Sequence, residues 1–157
     1  MVAANTTNDP TLKLGSEGEK VKELQKLLNK RLNRKDDVKV DGVFGPKTED
    51  AVKIIQYQFL LKQDGIAGPL TWKSLRANAP VDKPTLLRGS TGEQVSIVQK
   101  VLEDGGYDTG AIDGNFGEKT ETAVKAFQKD KKLVADGIIG DKTWDALSKL
   151  ATFLTVD

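Results

Sequence analysis

Asp41-Gly42-Val43-Phe44-Gly45-Pro46-Lys47-Thr48-Glu49-Asp50-Ala51-Val52-Lys53 returns downstream as Asp113-Gly114-Asn115-Phe116-Gly117-Glu118-Lys119-Thr120-Glu121-Thr122-Ala123-Val124-Lys125, an offset of 72 residues. So many identities in one order mark an internal duplication, and the fold has to be read once per copy. Further on, Asp64-Gly65-Ile66, Gly68, Thr71-Trp72 and Leu75 return as Asp136-Gly137-Ile138, Gly140, Thr143-Trp144 and Leu147 at the same offset. Upstream, Gly15-Ser16-Glu17-Gly18-Glu19 with Val21, Leu24, Gln25 and Leu28 returns as Gly89-Ser90-Thr91-Gly92-Glu93 with Val95, Val98, Gln99 and Leu102, now 74 residues away. The first copy therefore carries two extra residues in the loop after its first helix.

Period and punctuation predict three short helices per copy, an all-α pair of tandem three-helix bundles. Ser16 and Ser90 each stand three residues before a Glu, the pattern of a capping box at the start of helix one. Val21, Leu24, Leu28 and Leu32, and likewise Val95, Val98 and Leu102, recur at helical spacing and predict a core-facing stripe. Pro46 suits the first position of helix two, where a missing N–H leaves nothing unpaired. Thr48, Ala51, Val52, Ile55 and Phe59 form its inner face, matched by Thr120, Ala123, Val124 and Phe127. Helix three begins at Pro69 or Asp141 and turns Trp72 or Trp144 inward, since a bundle this small needs that area in its core. Gly42 and Gly114 follow Asp, a pairing that favours a tight turn with positive φ at the glycine. The residues divide into a flexible N-terminal tail over 1–11, a first domain over 12–78, a linker over 79–85 stiffened by Pro80 and Pro84, and a second domain over 86–157 with a short C-terminal tail.

Composition removes much chemistry. Among 157 residues there is no His and no Cys, so a His- or Cys-ligated metal site, a Ser-His or Cys-His pair and a disulfide are all excluded. No cofactor is implied. Lys and Arg number 24 against 23 acids, a balance that offers no field for nucleic acid or anionic lipid. No stretch approaches the roughly 20 apolar residues that span a bilayer, and no signal peptide is visible at the N-terminus.

The order G-S-x-G-x-x-V-x-x-L/V-Q-x-x-L, then D-G-x-F-G-x-x-T-x-x-A-V, then D-G-I-x-G-x-x-T-W-x-x-L resembles the type 1 peptidoglycan-binding domain carried by bacterial and phage wall hydrolases. The resemblance covers about 14–76 and 87–150. It implies a non-catalytic monomer that binds peptidoglycan, by glycan strand or stem peptide, and concentrates an attached or associated hydrolase domain on the wall. The setting implied is the cell wall, extracellular or periplasmic, or release of a phage-encoded protein at lysis. Matrix metalloprotease prodomains have a similar helical fold, but their inhibitory cysteine has no counterpart here.

The copies depart from the family in places. The second keeps Gly106-Tyr107 after helix one, where the first has the charged run Arg31 to Lys39; Ile55 replaces a usual Phe; Leu60 and Lys132 stand where Gly is usual. The second copy is thus the better candidate binder. Loop placement singles out Phe44, Phe116 and the neighbouring Tyr107 for contact with sugar faces or methyl groups, against the alternative that the rings plug the bundle. Asp41, Asp113, Thr48, Thr120, Gln56 and Gln128 stand beside them as polar candidates, each with a competing structural use in turns, caps or loop ties. Two other functions fit the composition. One is a small muramidase with two carboxylates about 5–10 Å apart; the other is a protein–protein tether built on the same fold.

Overall fold

In the computed structural model, which describes residues 9–33 and 38–156, six helices form among the described residues: α1 Glu19–Leu32, α2 Pro46–Gln58, α3 Pro69–Ala77, α4 Glu93–Asp104, α5 Glu118–Asp130 and α6 Asp141–Leu154. Residues 1–8 of the expected tail, residues 34–37 of the charged run and the terminal residue 157 lie outside the described residues. Pro46 and Pro69 open their helices and Asp141 opens α6, as the missing proline N–H and the helix dipole require.

The chain divides into two units, one built from the chain up to Gln56 together with Gln63–Asn78, the other from Tyr57–Lys62 together with Ala79–Asp157. In the first unit α1 packs on α3, and the core gathers Leu12, Val21, Leu24, Leu28, Phe44, Val52, Ile55 and Trp72, all buried. In the second, α4 packs against both α5 and α6 around Leu60, Leu86, Val95, Val98, Leu102, Phe116, Val124, Phe127, Ile139, Trp144 and Leu147. Tyr57 belongs to this second unit, and its hydroxyl donates to Asp104 at 2.7 Å.

Two isolated antiparallel bridges clamp each bundle: Leu12 with Ala67 and Glu17 with Val43, then Leu86 with Ile139 and Thr91 with Asn115. Each bridge ties the segment before the first helix to a D-G loop. The tryptophans reinforce the tie, because the buried indole N–H of Trp72 donates to the Pro10 carbonyl and that of Trp144 to the Pro84 carbonyl, both at 2.8 Å. Pro10 and Pro84, which the sequence places in tail and linker, thus terminate hydrogen bonds from the two cores. Asp9 beside Pro10 is held by Arg76 at 2.7 Å and Lys20 at 3.2 Å.

Ser16 and Ser90 do not cap α1 and α4. The residues at those caps are Gly18 (φ 126°) and Gly92 (φ 119°), in backbone that only glycine adopts readily. The serine hydroxyls instead accept from the N–H three residues upstream, Lys13 at 3.1 Å and Leu87 at 3.0 Å. The physical reason is reach: α1 starts three residues after Ser16, so the hydroxyl faces the preceding turn. Leu60 (φ 60°) and Lys132 (φ 61°) occupy left-handed backbone, which explains why glycine suits that position.

Candidate functional site

Four glutamines organise the loops. Gln25, on α1, is fully buried; its Nε2 lies 3.2 Å from Asp41 Oδ1, 3.0 Å from the Val43 carbonyl and 3.1 Å from Thr48 Oγ1. Its Oε1 accepts from Gly42 N at 3.0 Å. Gln56 repeats the arrangement with Asp64, Ile66, Thr71 and Gly65; Gln99 with Asp113, Asn115, Thr120 and Gly114; Gln128 with Asp136, Ile138, Thr143 and Gly137. One amide at each node ties a helix to the loop that follows it and to the first turn of the next helix.

Each aspartate of a node closes its own turn by accepting the N–H two residues on, at 2.9–3.0 Å. The glycine behind it has φ of 73–77° in all four loops. At Gly114 a Cβ would come within 3.1 Å of the Gly92 carbonyl oxygen, so close approach of backbone adds to the need for glycine. The Val43 N–H, then Gln25, hold the Asp41 carboxyl below its ordinary range; the Asn115 N–H, then Gln99, do the same for Asp113.

These contacts place the residues singled out from sequence. Phe44 is 1% exposed and Phe116 2%, so both rings lie in the cores. Thr48, Thr120, Gln56 and Gln128 are buried within the nodes. Asp41 and Asp113 remain on the surface with one oxygen engaged in the turn. Tyr107 is half-buried, its ring edge-on to Phe127 at 5.5 Å and its hydroxyl donating to Asp130 at 2.7 Å. Burial, then the hydrogen bond to the Asp130 carboxylate, push its phenol up to about 12.

What sequence reasoning missed is the half-period. D-G-x-x-G-x-x-T is spelled four times, at Asp41, Asp64, Asp113 and Asp136, twice within each copy. It also missed an open cleft of about 430 Å³ in the second unit, beside the Gln128 node. Leu133, Val134, Ile138, Lys132, Lys142 and Thr143 are among its lining residues. Val134 is 80% exposed and Ile138 39%, which leaves apolar surface facing solvent next to polar loop groups. The signal that could have found it was Leu133-Val134, an apolar pair in a loop and off any helical stripe. Among the described residues no three acids gather as a metal-ligating group, and no helix is long and apolar enough to cross a membrane.

The sequence model of a family described as "Putative peptidoglycan binding domain" matches residues 17–75 and 91–147. An N-acetylmuramoyl-L-alanine amidase, CwlL of Bacillus licheniformis, is 34% identical over an alignment covering 91% of this chain and 46% of its own. The amidase CwlM of Mycobacterium tuberculosis is 34% identical across 70% of this chain and 28% of its own. The chain thus spans less than half the length of these curated relatives. Among solved structures, a peptidoglycan-binding protein from Clostridioides difficile in complex with glutamine hydroxamate is 46% identical over 43% of this chain and 42% of its own, with a TM-score of 0.42. With both matched segments falling on the duplicated bundles, the chain belongs to the peptidoglycan-binding domain family, one domain in each copy.

Proposed function

We propose that the chain binds bacterial cell-wall peptidoglycan without cleaving it, and that it holds a wall hydrolase, attached or associated, against its substrate. Two modest sites on one chain raise avidity well above either alone. The second copy is the stronger binder in this reading, since the cleft beside Gln128 belongs to it.

The observation that carries the non-catalytic half is the state of the recurring acids. Each of the four D-G carboxylates is engaged in its own turn. Asp41 and Asp113 are held below the ordinary carboxylate range. A glycosidase needs the reverse, a carboxyl kept protonated near neutral pH to act as acid. Setting such a chain on the wall also fits its membership of the family and its likeness to two amidases.

Sedimentation with purified, protein-free sacculi tests the reading. The chain is expected in the pellet, and dye-labelled sacculi are expected to release nothing soluble. Protein left wholly in the supernatant at low salt refutes binding, and released dye refutes the absence of catalysis.

A further inference from the structure

A second cleft in the second unit, of about 520 Å³, lies between the loop after α5 and the outer face of α6. We infer that it binds a peptidoglycan stem peptide through a free carboxylate, which Lys131, Lys142 and Lys149 receive over an apolar floor of Leu133, Leu150 and Phe153. This inference rests on the binding function proposed above and adds the part of the polymer recognised.

The lining carries three lysines and one acid, Asp145, a net charge of +2 around an apolar surface. Phe153 is 74% exposed and presents its ring to solvent beside the lysines. Lys131 Nζ lies 5.9 Å from the centre of the Phe127 ring, near the outer limit of a cation–π contact. Stem peptides combine free carboxylates with alanine methyl groups, which is the chemistry that cationic rims and apolar floors complement. In the peptide-bearing polymer the lactyl carboxyl of the glycan is tied up in the amide to its peptide, so the free carboxylates open to pairing with the lysines lie on the stem peptide. The volume is also in the range of small-ligand sites, about 300–1,000 Å³.

The first copy shows that bundle stability does not demand this cleft. At the 72-residue offset Lys131, Lys142 and Lys149 correspond to Phe59, Leu70 and Ala77, and Asp145 to Lys73. Helix α3 has 9 residues and α6 has 14, starting from corresponding positions. The five further residues of α6 supply Leu150 and Phe153. Leu150 also fixes this extension, because its Cδ2 would stand only 2.7 Å from a Cβ on Gly105, so the glycine lets the end of α4 approach it closely. The charge and the added wall thus appear together, in one copy only.

The test uses the full chain and two probes, whole sacculi and soluble stem peptides released from them. Lys142→Glu with Lys149→Glu is expected to weaken peptide binding in calorimetry by about fivefold per lysine, with unchanged circular dichroism and melting. Lys149→Arg, which keeps the charge, should retain most of the affinity. Coupling ethanolamine to the sacculus carboxylates should reduce pelleting of the wild type, whereas stripping wall-linked phosphate polymers should not. Wild-type affinity in the Lys142→Glu, Lys149→Glu variant overturns the inference while leaving peptidoglycan binding intact, whereas loss of pelleting only on phosphate stripping overturns both. A wild type that ignores sacculi but binds the soluble peptide keeps the cleft and overturns the function proposed above. Binding of neither probe overturns both.

Discussion

Replacing Gln99 by Leu should undo the loop it holds and cost the second bundle a large part of its stability. The amide is 1% exposed, and its Nε2 reaches Asp113 Oδ1, the Asn115 carbonyl and Thr120 Oγ1 at 3.0–3.2 Å. Its Oε1 accepts from Asp113 N at 3.1 Å and Gly114 N at 3.0 Å. Asp113 and Asn115 are exposed and regain water when the amide goes, so their loss is small. Gly114 N and Thr120 Oγ1 stay buried, and a buried polar group left unpaired costs about 1–3 kcal/mol. Two such groups set a destabilisation of about 2–6 kcal/mol. For a bundle of this size that lowers Tm by about 10 °C or more. The reporter is already present, since each unit has one tryptophan. In a Trp72→Phe background, Trp144 fluorescence follows the second bundle alone through urea and thermal unfolding. A loss below about 1 kcal/mol would show that the node is not what holds the loop.

Other outcomes follow from the same packing. Ser74 Oγ is buried with no hydrogen-bond partner among the described residues, and the second copy has Ala146 there; Ser74→Ala should stabilise the first bundle by about 0.5–1 kcal/mol in urea titrations. Lys132 sits at φ 61°, so Lys132→Gly should gain roughly 0.5 kcal/mol after the entropy of glycine offsets part of the relieved strain. Burial pushes the Lys83 ammonium down to about 8, although it meets the Leu60 carbonyl, Gln94 and the face of Trp144. The unfolded chain then holds that proton to higher pH than the folded one, so stability should rise between pH 8 and 10.5, and Lys83→Met should abolish the rise in melts across that range. Asp9 is shifted in the same direction but in the acid range: its hydrogen bond from Arg76 lowers its carboxyl, giving stability that is present above the unfolded pKa and lost as pH falls below about 4. Arg76→Met should flatten that acid transition, read by Trp72 fluorescence.

Helical spacing and proline or acid punctuation were enough to read all six helices, because small bundles have one apolar stripe per helix and little else to decide. The same logic failed at Ser16 and Ser90. A capping box is local, and the glycines at 18 and 92 set a helix start that only the bridge to the D-G loop explains. The candidate site was legible in part. D-G-x-F-G marked two tight turns that form as read, but burial of Phe44 and Phe116 depends on how three helices close over them, which no spacing reveals. The clefts of the second unit stayed hidden for a related reason. Nothing in the spacing of Lys131, Lys142 and Lys149 groups them, and only the fold brings them to one rim.

The glutamine nodes carry a consequence for redesign. Because four interior amides fix the four D-G loops, the outward residues of α3 and α6 are free to change without renegotiating the architecture. Recognition should therefore be portable between the halves of this protein. Writing Leu70→Lys and Ala77→Lys onto the first copy, with its final helix lengthened to match α6, would be expected to give it two of its sibling's three receiving cations and part of that ligand preference.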